Sequence, residues 1–116
     1  MLNNAFEGYH TCLFAYGQTG SGKSYSIVGY GSNKGIIPRA CEEIFRRVDE
    51  RVGDPENNVQ HTVTLSMIEI YNECVQDLLI KPTERPKGGL NVREHPKFGI
   101  FVEGMSKIPV TSYHEI

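Results

Sequence analysis

The chain has 116 residues, 39% of them hydrophobic and 22% charged, which is room for one ordinary domain or a piece of a larger one and excludes a disordered composition. Its formal net charge is −2, from 12 Lys and Arg against 14 Asp and Glu, so nothing global draws it to nucleic acid or acidic membrane and any polyanion must meet a local site. Cys12, Cys41 and Cys74 are odd in number and form no C-x-x-C pair, which argues against a disulfide framework or zinc site and suits a reducing cytosol.

In chain order, Leu2, Ala5, Phe6 and Tyr9 recur at three- and four-residue steps up to Gly8 and predict the end of a helix. Thr11 to Tyr16 is apolar on both faces after its first residue, which predicts a strand buried on both sides of a parallel sheet. A glycine-rich loop follows, then a short helix from Lys23 towards Gly29, and Tyr30 to Gly35 reads as turn material. Ile37, Cys41, Ile44, Phe45, Val48 and Val52 mark one face of a helix, with Pro38 at its start and Gly53 just past its end. On the outer face Glu42–Arg46 and Glu43–Arg47 are opposite charges four apart, read as solvated surface.

Asp54 to Asn58 predicts a turn. Val59 to Asn72 predicts one long strand whose apolar parity changes from Val63, Leu65 and Met67 to Ile68 and Ile70, as at a bulge or where a strand passes from half-covered to fully buried. Val75 to Leu79 is expected to make a helical turn or two, and Lys81 to Gly89 a surface loop. Two strand-like runs around Pro96–Gly99 predict a hairpin, and Ser112 is placed to cap a helix at the C-terminus. Both ends read as cut through helices. The four histidines are scattered, no apolar run approaches bilayer length, and no signal-peptide pattern opens the chain. The expectation is therefore a cytoplasmic protein with no nucleic-acid partner and no membrane insertion of its own.

Gly17-Gln18-Thr19-Gly20-Ser21-Gly22-Lys23-Ser24 satisfies G-x-x-x-x-G-K-[ST]. Such a loop lacks side-chain bulk, so successive backbone N–H groups close around phosphate oxygens. Lys23 would then reach the β- and γ-phosphates and Ser24 would ligate Mg²⁺. The plain alternative is a flexible glycine turn, but a buried strand predicted before the loop and a helix after it favour a nucleoside triphosphate. The second half of such chemistry is missing from the sequence. No D-x-x-G follows an apolar strand, no N/T-K-x-D reads guanine, and none of Asp49, Asp54 and Asp77 is predicted to follow a buried strand.

From Phe14 to Tyr25 the sequence resembles the nucleotide loop of kinesin motor domains. The likeness continues through Gly35-Ile-Ile-Pro-Arg39, Ser66-Met-Ile-Glu-Ile-Tyr-Asn-Glu73, Asp77-Leu-Leu79, Val92-Arg-Glu-His-Pro96 and Val110-Thr-Ser-Tyr113. The last two, with Ala5-Phe-Glu-Gly-Tyr9, are most similar to the cargo-transporting third class of kinesins. The resemblance implies an α/β fold of the P-loop NTPase type, three-layer α/β/α with a central, mostly parallel sheet. Residues 1–116 would be one partial motor domain holding the loop, its helix, the long strand and the hairpin, without the R-x-R-P strand, switch I, switch II or neck linker.

It further implies ATP and Mg as cofactors, microtubules (tubulin) as partner, and ATP hydrolysis coupled to movement along them in the parent protein. Gly17, Gln18, Thr19, Gly20, Ser21, Gly22, Lys23 and Ser24 are the candidate nucleotide-binding residues, and Tyr25 matches a position whose ring lies against the adenine. Glu69, Tyr71 and Asn72 identify the family but read as scaffold, and His61 and His95 as ordinary polar residues. Leu90 to Gly104 would be a tubulin-facing hairpin with Arg93 and Lys97 as contacts, although Glu94 beside Arg93 also fits a hairpin that touches nothing. Two other readings stay open: a truncated, non-motile microtubule- or partner-binding protein, and a different P-loop enzyme.

Overall fold

The computed structural model describes residues 1–52 and 60–116. Two compact units are separable: Met1–His61 with Thr111–Ile116, and Thr62–Val110.

In the first unit α1 (Leu2–Phe6) ends as expected at Gly8, whose φ of +92° takes the backbone out of the helix while its N–H donates to the Ala5 carbonyl at 3.1 Å. The buried strand expected over Thr11–Tyr16 is not formed. Phe14 is 80% and Tyr16 95% exposed, and no described strand pairs with this run. Apolar residues alone do not make a strand; a ladder partner must take the backbone N–H and C=O groups.

The loop leads into α2 (Lys23–Ile27), and the segment read as a turn is a tight antiparallel hairpin, β1 (Gly29–Tyr30) with β2 (Asn33–Lys34). Gly29 sits at φ +82°, and a Cβ there would run into the Asn33 carbonyl oxygen and the Gly35 nitrogen. Only glycine lets the hairpin close.

Helix α3 (Ile36–Val52) has Pro38 in its first turn, where the missing N–H removes no helical bond. Phe45 is the buried residue of its inner face. On the outer face Glu43 binds Arg46 at 2.7 Å and Arg47 at 2.6 Å, and Arg46 also pairs with Glu50. The expected Glu42–Arg46 pair is not among these, because Lys34 of β2 takes Glu42 instead. Arg47 donates to Asn3 Oδ1 at 2.8 Å, and the Arg47 and Arg51 guanidiniums lie over the Phe6 ring, which fastens α1 to α3. Gly53, the Asp54–Asn58 turn and Val59 lie outside the described residues. At the other end, where the sequence predicts a helix cut through by the C-terminus, stands a short 3-10 turn (Tyr113–Glu115). Ser112 makes no side-chain cap; the Glu115 carboxylate instead accepts from the Thr111 N–H at 2.6 Å and hydroxyl at 3.0 Å.

The second unit contains β3 (Val63–Leu65), β4 (Ile68–Tyr71), β5 (Cys74–Asp77), β6 (Val92–His95), β7 (Gly99–Val102) and β8 (Ile108–Val110). The expected long strand is two strands. It breaks at Ser66–Met67, where apolar parity changes, because β3 pairs with β8 while β4 pairs with β5. The helical turn expected over Val75–Leu79 is corrected to strand β5. Asn72 at φ +47° and Glu73 at φ +64° make the two-residue reversal, and Tyr71 faces Cys74 across it. The loop Lys81–Gly89 carries one 3-10 turn, and β6 and β7 form the expected hairpin about Pro96–Gly99.

Val75, Val110 and Asp77 are the buried side chains here. Every described pairing is antiparallel and two-stranded, so the mostly parallel central sheet expected from the sequence is not present among the described residues. No helix among them is long and apolar enough to cross a membrane.

Candidate functional site

The glycine loop owes its shape to three residues at positive φ: Gly17 (+154°), Gly20 (+83°) and Gly22 (+87°). A side chain at any of them is strained, and a Cβ on Gly17 would also approach Ser21 Oγ to 2.7 Å. The loop closes on itself through Ser21 N–H donating to the Gln18 carbonyl at 3.2 Å. Gly22 then starts α2, its carbonyl accepting from Ser26 N–H at 3.0 Å.

Lys23 folds back over the loop, and its ammonium donates to the Gly17 and Gln18 carbonyls, both at 2.6 Å. Two of its three donors are thus held by backbone oxygen, which fixes the charge at the loop rather than leaving it to sweep through solvent. An open cleft of about 440 Å³ is lined by Thr19, Gly20, Gly22, Lys23, Ser24, Tyr25 and Tyr30. Gly17, Gln18 and Ser21 do not line it; they shape the loop and hold Lys23.

The donor set is backbone N–H, one ammonium and the Ser24 hydroxyl. That chemistry fits an anionic phosphate chain, with the hydroxyl available to a divalent cation. Tyr25 leans on Tyr30, their ring centroids 6.2 Å apart and the planes tilted by 33°. Turn-forming composition over Tyr30 to Gly35 hides Tyr30 in the sequence; a second tyrosine five residues beyond Tyr25 is the available signal. Tyr25 also lines a smaller cleft of about 270 Å³, together with Lys34 and Arg39 among others.

In the second unit the β6–β7 hairpin presents Arg93 and Lys97 differently. Arg93 Nε donates to Glu103 Oε2 at 3.2 Å, so its charge is countered from the residue just past β7, and not by adjacent Glu94. Lys97 has no carboxylate partner among the described residues; its backbone N–H donates to His95 Nδ1 at 3.1 Å. His95 stacks on exposed Phe98 with centroids 4.7 Å apart, so the hairpin tip is a lysine beside an aromatic pair.

Asp77, expected to follow no buried strand, closes β5 and is 1% exposed. Its carboxylate accepts from Ser106 N–H at 2.7 Å and Leu79 N–H at 2.9 Å. Donation from Ser106, then from Leu79, holds its pKa below the usual carboxylate range. It is a structural tie between β5 and the approach to β8.

The family model described as Kinesin motor domain matches residues 1–116. Kinesin-related protein 1 of Dictyostelium discoideum is 49% identical over all of this chain, which spans 5% of that protein. Kinesin-like protein KIF28 of Mus musculus is also 49% identical over the whole chain, which spans 11% of it. For Kinesin-like protein KIF1A of Rattus norvegicus the figures are 49% and 7%. The structure overlays a KIF14 dimer with AMP-PNP, in complex with a microtubule, at a TM-score of 0.87 and 46% identity, covering 98% of this chain and 31% of that one. A KIF14 motor with ADP, also in complex with a microtubule, gives 0.85 and 47%, covering 98% and 31%. The chain therefore spans about a tenth or less of these curated relatives and under a third of the solved chains. These neighbours have the P-loop NTPase fold. With the family model matched from first residue to last, the chain belongs to the kinesin motor domain family.

Proposed function

We propose that this chain is the ATP-binding part of a microtubule-based motor, which couples ATP hydrolysis to movement along microtubules in the cytoplasm. The observation that carries the reading is the loop: three glycines at positive φ around a lysine ammonium pinned 2.6 Å from two loop carbonyls. In this reading Gly17, Gln18, Thr19, Gly20, Ser21 and Gly22 form the phosphate cradle. Lys23 turns from its carbonyls to the phosphate oxygens, exchanging neutral acceptors for charged ones, which make the stronger bonds. Ser24 offers its hydroxyl to Mg²⁺, and Tyr25 lies against the base. Magnesium, when bound with the nucleotide, offsets the charge that develops on the phosphates.

The finer architecture belongs to the same proposal. All 116 residues are assigned to one motor domain of three-layer α/β/α type, in which the apolar run Thr11–Tyr16 becomes an inner strand of a mostly parallel sheet. Its exposed Phe14 and Tyr16 support this, since they are large apolar side chains in need of cover. The hairpin faces tubulin, with Lys97 as the stronger contact and Arg93 the weaker, because Glu103 already counters Arg93.

ATP turnover by a motor carrying this segment, measured with and without microtubules, tests the reading. Turnover that rises with microtubules and is lost in Lys23→Ala is expected. Turnover indifferent to microtubules contradicts a motor and favours another P-loop enzyme.

A further inference from the structure

We infer that Asp77 is a positioning residue for the proposed track contact: its buried carboxylate clamps the far foot of the β6–β7 hairpin to β5, so that Lys97 is presented in one direction. This rests on the proposed tubulin-facing role of the hairpin and adds a residue remote from its tip.

The hairpin stands on two feet. The foot before β6 docks on β5 through backbone: Leu90 N–H donates to the Val75 carbonyl at 2.7 Å, and a Cβ on Gly89 would come within 2.7 Å of that same oxygen. The foot after β7 runs towards β8, which pairs with β3, Leu65 facing Ile108. Strand β5 pairs with β4 instead. The two feet therefore end on different two-stranded sheets, and a hairpin so mounted would swing with any shift between them. The hairpin itself is one piece. Val92 faces Val102 and His95 faces Gly99, and below them Glu103 N–H donates to the Asn91 carbonyl at 2.8 Å. Its direction is thus set where its feet are held.

Asp77 ties the second foot to the strand that holds the first. It lies two residues beyond Val75 on β5. Its Oδ2 accepts from Ser106 N–H at 2.7 Å and its Oδ1 from Leu79 N–H at 2.9 Å, so one carboxylate closes the whole excursion over residues 79–106. Ser66 Oγ donates to the Ser106 carbonyl at 2.7 Å and holds the same foot from its other side. A charged acceptor makes the stronger bonds, and at 1% exposure water does not compete for them. The same burial keeps Asp77 from touching a track. Any effect it has on track binding passes through the hairpin.

The test is a mutant cycle on the microtubule dependence of ATP turnover, in a motor carrying this segment. Wild type, Asp77→Asn, Arg93→Ala/Lys97→Ala and the triple variant are compared. The amide keeps one acceptor and turns the other into a donor, so one of the two holds is lost. Asp77→Asn is expected to raise the half-saturating microtubule concentration about two- to five-fold, the range open to contacts between exposed charges. Turnover without microtubules and at saturation should stay at the wild-type level, and the triple variant should bind no worse than Arg93→Ala/Lys97→Ala. Suppose instead that Arg93→Ala/Lys97→Ala weakens the track while Asp77→Asn does nothing, adds its full effect in the triple variant, or lowers turnover without microtubules as well. Then the positioning role is wrong and the hairpin contact stands. If Arg93→Ala/Lys97→Ala itself changes nothing, the hairpin contact fails and the inference with it. Should Asp77→Asn not fold, Ser66→Ala loosens the same foot from the exposed side, and a half-saturating concentration equal to wild type then overturns the proposal.

Discussion

Gly20 and Gly29 have nearly the same backbone, at φ +83° and +82°, but different surroundings. Around Gly20 nothing lies within 4 Å of an added Cβ, whereas at Gly29 the Cβ meets the backbone of Asn33, Lys34 and Gly35. Both alanine variants share the strain of a left-handed residue, about 1–2 kcal/mol. Gly29→Ala must also push two strands apart, so it is expected to lower the thermal midpoint clearly more than Gly20→Ala. Equal midpoints would contradict the packed hairpin.

The charges on α3 are a second residue-level test. Donation from Arg46, then Arg47, pulls the Glu43 carboxyl from its ordinary 4.5 to about 2. A depressed carboxylate contributes stability that is whole above pH 4.5 and is lost as pH falls through about 2. Circular dichroism of α3 across that window should fall less steeply in Glu43→Gln than in wild type, and the gap should shrink in salt. Identical slopes would mean the ion pairs leave the helix unaffected.

The β6–β7 hairpin concentrates the proposed track contact in one element. Each exposed charge is worth about 1 kcal/mol or less, and salt weakens it. In a motor carrying this segment, Lys97→Ala should reduce microtubule co-sedimentation more than Arg93→Ala, with a shallower salt dependence. Glu103→Ala, by releasing Arg93, should strengthen it. No change in any of the three would remove the hairpin from the interface.

Elements whose signal is local were legible in the sequence. Helix α3, with Phe45 on its inner face, and the turn at Pro96–Gly99 read correctly because periodicity and turn chemistry act over a few residues. Pairing was not legible. One strand-like run serves as β3 and β4 because its first half pairs with β8, far along the chain, while its second half turns back at once onto β5. The Asn72–Glu73 turn was missed because glutamate at φ +64° is not a residue that announces a reversal. At the site, the motif pointed to the loop that lines the cleft, but Tyr30 enters that cleft only through the close packing around Gly29 and Gly35.

At the scale of the whole molecule, burial is sparse. Among the described residues Phe45, Val75 and Val110 are the buried apolar side chains, while Phe14, Tyr16, Ile70, Phe98 and Ile100 are exposed. Exposed apolar surface and unpaired strand edges favour association. The 116-residue chain alone is expected to bind a hydrophobic dye and to self-associate as its concentration rises in sedimentation velocity. A sharp, reversible melt of monomer without dye binding would contradict this.

The central claim is that the loop around Lys23 binds a nucleoside triphosphate, and titration calorimetry of MgATP into wild type and Lys23→Ala tests it most directly. Removing the ammonium deletes charge-assisted contacts worth about 1.5–3 kcal/mol, so affinity is predicted to fall roughly ten- to hundred-fold. Equal affinities in two folded proteins would contradict it.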